Sequence, residues 1–333
     1  MRVSVIGAGF GEQHVSWLAQ CPGVTVDTLI YHRNRERADE IAARYGILRL
    51  SQSLDEVIEN DSELVVIAAP VHLHGELTQR ALKRGKSVVC EKPLALTAQV
   101  AQAMVDASES ARVPCMTMFQ WRFHPAFRAL RDLVESRALG RVLHVDLQFH
   151  HDFLATRDTP FPWRHSRAEA SAGALADLGV HLFDLLRWLT SQEYQVTGTT
   201  SAILWGSRTV DSAPVAAETE DITSVLLQST GGTVAVASAL RVTTGHRRLR
   251  ATVSGTEAVA WVEVCPDTTS GELGSSDPKH VRSWPAGSLE NPYLPFLSGR
   301  TALTADIPDF AAGLAAQRLL DAAAAHSPAV LSS

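Results

Sequence analysis

The 333-residue sequence is short of cysteine, of aromatic residues and of any excess of positive charge. Its four cysteines, Cys21, Cys90, Cys115 and Cys265, are widely spaced and form no CxxC pair. That pattern speaks against a disulfide framework or a structural zinc centre, and it suits a reducing cytoplasm. No apolar run approaches the roughly 18 residues that a membrane span requires. The most apolar short stretch, Leu64 to Ala69, is strand-sized. A formal net charge of -6 disfavours a nucleic-acid partner. Met1-Arg2 leads directly into Val3-Ser4-Val5-Ile6, which reads as a strand and not as a signal-peptide core.

What is present is ordinary globular composition, 45% hydrophobic and 20% charged, at a length that suggests about two domains. In the first third, strand-like runs alternate with helical ones. Val3–Ile6, Val24–Tyr31, Leu64–Ala69, Ser87–Cys90 and Val113–Phe119 are the strands. Segments near 12–19, 35–45, 76–83 and 98–108 are the helices, and Ser53-Leu54-Asp55-Glu56 reads as a capping box. Such alternation implies βαβ units on a parallel sheet. After Phe119 the pattern changes. Helices are expected over 125–137, 174–189 and 307–325. Strand-like runs are expected over 142–151, 196–204, 222–228, 233–240, 249–254 and 258–264, with a long loop over 266–295. The expected architecture is therefore α/β, with a Rossmann dinucleotide-binding domain over residues 1–118. Residues 119–333 would form an α+β domain with an open, mainly antiparallel sheet.

Gly7-Ala8-Gly9-Phe10-Gly11 follows the first strand and opens a helix. Glycines there let the backbone turn tightly and approach a pyrophosphate, whose charge sits on helix N-terminal N–H groups. Glu12 stands where the usual spacing has its third glycine. The end of the second strand selects the cofactor, since a carboxylate there bonds the ribose 2′-hydroxyl and arginines accept a 2′-phosphate. Tyr31-His32-Arg33-Asn34-Arg35 has no carboxylate and two arginines, so NADP(H) is the expected cofactor, with NAD(H) as the alternative.

These residues resemble the glucose-fructose oxidoreductase / inositol dehydrogenase / MocA family. The resemblance is carried by the glycine turn, by Ala69-Pro70-Val71-His72-Leu73-His74, by Glu91-Lys92-Pro93, by Arg122-Phe123-His124-Pro125 and by Asp177 followed four residues on by His181. It extends over essentially the whole chain. It implies hydride transfer between a nicotinamide and a hydroxyl- or carbonyl-bearing carbon of a sugar- or cyclitol-like substrate. It also implies a homodimer or homotetramer formed through the C-terminal sheet. Lys92, Asp177 and His181 would be the catalytic trio. Histidine titrates near neutrality and suits proton transfer. A helix would set Asp177 and His181 on one face, and Lys92 would stabilise a developing alkoxide. The expected cofactor contacts are Gly7, Gly9, Phe10, Gly11, His32, Arg33, Arg35, Ala69, Pro70, His72, Glu91 and Lys92, with His74 a second candidate at the pocket. Gln120, Trp121 and Arg122 are expected to meet the substrate, together with Asp177, His181 and Trp163-Arg164 of the segment Phe161-Pro162-Trp163-Arg164. Tryptophan stacks on the apolar face of a sugar ring, and arginine clamps oxygens. No metal ligand set with convincing spacing is present. Gln120, Val71 and Ala172 depart from the residues most relatives carry. Two other readings share the fold: a non-catalytic nucleotide-binding regulator, and a glycoside-processing enzyme that retains its NAD.

Overall fold

The computed structural model describes residues 1–158, 162–299, 306–326 and 331–332. Phe161 of the expected substrate-side segment lies outside the described residues. Two compact units are present. The first comprises Met1–Phe119 with Asn291–Leu314, the second Gln120–Glu290 with Ala315–Ser333.

In the first unit, β1 (Arg2–Ile6), α1 (Gly11–Leu18), β2 (Thr25–Ile30), α2 (Arg35–Tyr45), β3 (Arg49–Ser51), α3 (Leu54–Glu59), β4 (Leu64–Ile67), α4 (His74–Lys83), β5 (Ser87–Cys90), α5 (Ala98–Ala111) and β6 (Cys115–Thr117) follow in turn. The six strands are parallel in the order β3-β2-β1-β4-β5-β6. All four residues of β4 and of β5 are buried, as expected for strands covered on both faces. The order reverses between β1 and β4. Ligands of open α/β sheets lie at such a switch point, beyond the carboxyl ends of the strands.

Local sequence explains the helix ends. Asn34 caps α2 by accepting the Arg37 N–H at 2.8 Å, and Gly46 ends it in the left-handed conformation. Ser53 starts α3 at the expected place, but its side chain makes no cap hydrogen bond, so the expected capping box does not form.

The described residues 291–299 and 306–314 group with the first unit, so that unit is not the contiguous stretch expected to end near residue 119. Asn291 donates to the Trp17 carbonyl at 2.7 Å, and Phe310 and Leu314 join the first unit's core with Leu94 and Met104. Thr117 donates its N–H to the Pro308 carbonyl at 2.8 Å. Burial of apolar side chains by residues distant in sequence carries no local signal.

The second unit contains α6 (Pro125–Glu135), β7 (Val142–His150), α7 (Arg167–Ala170), α8 (Val180–Thr190) and strands β8 (Tyr194–Ile203), β9 (Ser207–Val210), β10 (Ala213–Ala216), β11 (Ile222–Ser229), β12 (Val234–Leu240), β13 (Arg248–Gly255), β14 (Val259–Val264), β15 (Gly271–Ser275), β16 (Arg282–Trp284) and β17 (Leu331–Ser332). Nine of these strands form one sheet, β16-β15-β14-β13-β7-β12-β11-β8-β17. It is antiparallel apart from β7 with β12 and β8 with β17. Val145, Leu147 and Phe149 of β7 and Leu249, Ala251 and Val253 of β13 point to the buried face, against which α6 and α8 pack. The alternate positions Asp146, Gln148, His150, Arg248 and Arg250 are polar.

Two expectations are corrected here. Residues 266–295 are not one long loop, because β15 and β16 extend the sheet within them. Their glycines look like loop signals, yet Gly274 is needed where the Trp261 ring lies against the strand: a Cβ there would come within 2.2 Å of it. The helix expected over 174–189 begins instead as a π-helical turn, Leu175–Gly179, before α8.

Candidate active site

The turn after β1 is built from glycine of necessity. Gly7 has φ +110°, and a Cβ on it would come within 2.3 Å of the Ala68 carbonyl oxygen that follows β4. Its N–H bonds the Ile30 carbonyl at 2.8 Å. Gly9 differs, since a Cβ there would meet nothing within 4 Å. The backbone is thus open above Gly9, and exposed Phe10 leads into α1. A phosphate-bearing ligand fits that combination: open backbone, then the N-terminus of a helix.

At the end of β2, Tyr31 is buried while His32 and Arg33 are exposed. Arg35 is engaged by Asp39 at 2.9 Å and by the Tyr31 hydroxyl at 3.2 Å. Arg37 and Arg44 bind Glu12, the residue that stands at the third-glycine position. Glu12 therefore anchors α1 to α2, and Arg33 is left with its guanidinium in solvent. Of the two arginines expected at the 2′-position, only Arg33 is uncommitted among the described residues.

After β4, Ala69 is half-buried, and Pro70 and His72 are exposed. His74 is buried, with Nδ1 3.1 Å from the Pro93 carbonyl oxygen and Nε2 2.9 Å from that of Ala69. Burial lowers its pKa. His74 is a brace between the loops after β4 and β5. The loop after β5 holds Glu91, half-buried Lys92 and a cis bond to Pro93. The Glu91 carboxylate accepts from His14 Nε2 at 2.8 Å and from the Lys92 N–H at 3.1 Å. Burial pushes its pKa up, but its hydrogen bond and charge interaction with His14, and then the Lys92 charge, outweigh this and hold it below the ordinary carboxylate value.

In the second unit, the π-helical turn holds Asp177, and His181 lies one turn on in α8, buried. Glu220 fixes the start of this turn by accepting the N–H groups of Gly173 at 2.8 Å and Leu175 at 3.0 Å. Gly173 passes so close to Glu220 that a Cβ would lie 1.9 Å from its carbonyl oxygen. π-helical turns recur at functional sites. The Asp177 carboxylate is bracketed by Arg164 and by fully buried Arg241, the latter at 3.3 Å. Arg241 also binds Asp221 at 3.1 Å, which Arg208 shares at 2.7 Å. Burial and these two arginines drive the nearby His165 down to about 4. Arg164 stacks on Trp163, 4.4 Å from ring centroid to Cζ, and Trp163 is partly exposed.

The remaining substrate-side candidates separate. Gln120 is half-buried. Trp121 is buried with its ring edge-on to Phe149, whose own ring is 5.9 Å from that of His181. The Trp121 Nε1–H has no hydrogen-bond partner among the described residues. Arg122 is corrected: it is buried in a bidentate pair with Asp184, at 2.8 Å through Nε, beneath Trp188. A guanidinium so engaged is structural. Reading from sequence had no means of pairing it with a residue 62 positions away. Among the described residues no cluster of metal-ligating groups is present.

Comparison with known proteins accords with this architecture. Residues 1–119 match the model of an oxidoreductase family described as an NAD-binding Rossmann fold, and residues 127–260 match the GFO/IDH/MocA C-terminal domain. The chain belongs to the GFO/IDH/MocA oxidoreductase family. It is 33% identical to levoglucosan dehydrogenase of Pseudarthrobacter phenanthrenivorans over 58% of this chain and 52% of that one. It is 29% identical to inositol 2-dehydrogenase of Rhizobium meliloti over 68% and 64%. The first of these matches spans about half the relative's length. The structure of a levoglucosan dehydrogenase in complex with NADH and levoglucosan shares the fold with a TM-score of 0.85 at 23% identity, covering 98% of both chains. An oxidoreductase domain protein from Kribbella flavida superposes with a TM-score of 0.86 at 24% identity, over 97% of this chain and 96% of that one. No described helix is long and apolar enough to cross a membrane.

Proposed function

We propose that this protein is an NADP(H)-preferring oxidoreductase acting on a hydroxyl or keto carbon of a sugar- or cyclitol-like substrate. The observation that carries the reading is the glycine turn at Gly7–Gly11. It stands at the switch point of a parallel sheet, with open backbone above Gly9 and a free arginine, Arg33, at the end of β2 where a carboxylate would select NAD(H). The residues that would hold the cofactor are Gly7, Gly9, Phe10 and Gly11 for the pyrophosphate. His32 and Arg33 would hold the 2′-phosphate, and Ala69, Pro70, His72 and Glu91-Lys92 the nicotinamide half. Arg35 is a weaker candidate, because Asp39 neutralises it.

A bound nicotinamide supplies or accepts the hydride. His181 would take the proton from the substrate hydroxyl when hydride leaves the carbon and would return one to the alkoxide oxygen when hydride is added, a role suited to imidazole. Lys92 offers positive charge to a developing alkoxide. Asp177, held between Arg164 and Arg241, would orient neighbouring donors. The unpartnered indole N–H of Trp121 and the Trp163 ring suit a polyol, the one as a donor to oxygen and the other as a stacking surface. The polar face of the nine-stranded sheet is the surface through which a homodimer or homotetramer would form, in the cytoplasm. A kinetic screen of sugars and cyclitols with both cofactors tests the proposal. Turnover with a polyol and NADP(H) supports it, and the absence of any nicotinamide oxidation or reduction across the panel counts against it.

A further inference from the structure

The first unit contains a buried polar chain that the proposed mechanism does not use. Along it lie the Tyr293 hydroxyl, 2.6 Å from His14 Nδ1; His14 Nε2, 2.8 Å from Glu91 Oε1; and Glu91 Oε2, 3.1 Å from the Lys92 amide nitrogen. We infer that His14 is a positioning residue for Lys92, acting through Glu91, whose carboxylate sets its tautomer, with Tyr293 completing the chain at Nδ1. This rests on the proposed role of Lys92.

The chemistry of the partners fixes the direction of every bond. An ionised carboxylate only accepts, so His14 donates from Nε2–H. Its Nδ1 is then an acceptor, and the Tyr293 hydroxyl donates to it. Burial keeps that phenol protonated. Glu91 spends one oxygen on His14 and the other on the Lys92 N–H. Each group meets a complementary partner, so one arrangement is favoured in a low-dielectric interior. Tyr293 is itself pinned, its N–H accepted by Asn291 at 3.0 Å while Asn291 donates to the Trp17 carbonyl of α1.

The placement gives the chain its consequence. His14 lies one turn into α1, the helix whose N-terminus follows the glycine turn. Lys92 lies on the loop after β5. His14 therefore ties the helix that would receive the pyrophosphate to the backbone that carries Lys92. An apolar side chain at position 14 would leave Glu91 buried with one donor fewer and its carboxylate free to turn away from the Lys92 amide.

The test uses the full-length, cofactor-free chain labelled with nitrogen-15. Long-range proton–nitrogen spectra should show the His14 ring proton on Nε2, and Glu91→Gln, whose amide can donate to that nitrogen, should switch it to the Nδ1–H form. A wild-type His14 that is Nδ1-protonated or averaged between tautomers overturns the inference. This outcome is read without any turnover, so it is separable from failure of the proposed activity. Kinetically, His14→Leu should lower kcat about 10-fold, as expected for a lost hydrogen bond to a charged group, with cofactor KM changed by less than about twofold. His14→Gln, which restores a donor toward Glu91, should recover most of that loss. Equal losses in both variants, matched only by a lower Tm, would show a structural role alone and overturn it.

Discussion

Two buried clusters, one in each unit, hold charge in different ways. In the first, the Glu91 carboxylate is satisfied by an imidazole N–H and a backbone amide. The second buries two full guanidiniums, Arg208 and Arg241, on a shared Asp221, and extends that lattice to Asp177 through Arg241. A carboxylate bonded by an imidazole and an amide adds little unbalanced charge when a partner is removed. An arginine–aspartate lattice leaves stranded guanidiniums, whose desolvation goes unrepaid. The first arrangement fixes the backbone of one loop. The second brackets a proposed site residue, Asp177, with arginines and lowers the pKa of His165.

The largest effect should come from breaking the lattice. Asp221→Ala leaves Arg208 and Arg241 without their common anion, and denaturant unfolding should report a loss of about 3–5 kcal/mol. Glu91→Gln, which keeps an acceptor for the Lys92 amide, should cost only about 1–2 kcal/mol. If the two variants proved equally stable, the contrast between the units would collapse.

Next come the proposed catalytic groups, one from each unit. Lys92→Ala and His181→Ala should each lower turnover by roughly 100-fold or more, as removal of charge stabilisation or acid–base catalysis does. Steady-state rates near those of the wild type for either variant would remove that residue from the mechanism.

The smallest effect is the pH dependence. Burial, with Arg248 and His246, drives His150 down to about 4, and burial with Arg241 and Arg208 does the same to His165. A folded value below the unfolded one means that the unfolded chain binds more protons between about pH 6.5 and 4. Stability should therefore be full above pH 6.5 and fall toward pH 4. His150→Gln should flatten that slope in a series of unfolding curves, and an unchanged slope would show that His150 contributes nothing to it.

Much of the first unit was legible because its signals are local. β-branched runs such as Leu64–Ile67 read as covered strands, and the glycine turn after Val3–Ile6 marks the switch point. The family resemblance carried Lys92, Asp177 and His181 by position. Neither the arginine lattice nor the Arg122–Asp184 pair was legible, because Arg241 meets Asp177 and Arg122 meets Asp184 only through the tertiary fold. β15 and β16 were missed because Gly271, Gly274 and the surrounding serines look like loop, whereas Gly274 is there to admit the Trp261 ring. His14 left one trace that could have been followed. It is a polar residue on the face of α1 that buries Val15, Trp17 and Leu18, and such a residue requires a partner.

The proposed NADP(H) preference resides in Arg33. Its most direct test is the ratio of kcat/KM for NADP(H) to that for NAD(H), with the best polyol found, in the wild type and in Arg33→Ala. The ratio should favour NADP(H) in the wild type. It should fall about 10-fold or more in the variant, the worth of a charge-assisted contact to a phosphate. A wild-type ratio favouring NAD(H), or one unmoved by loss of Arg33, would contradict it.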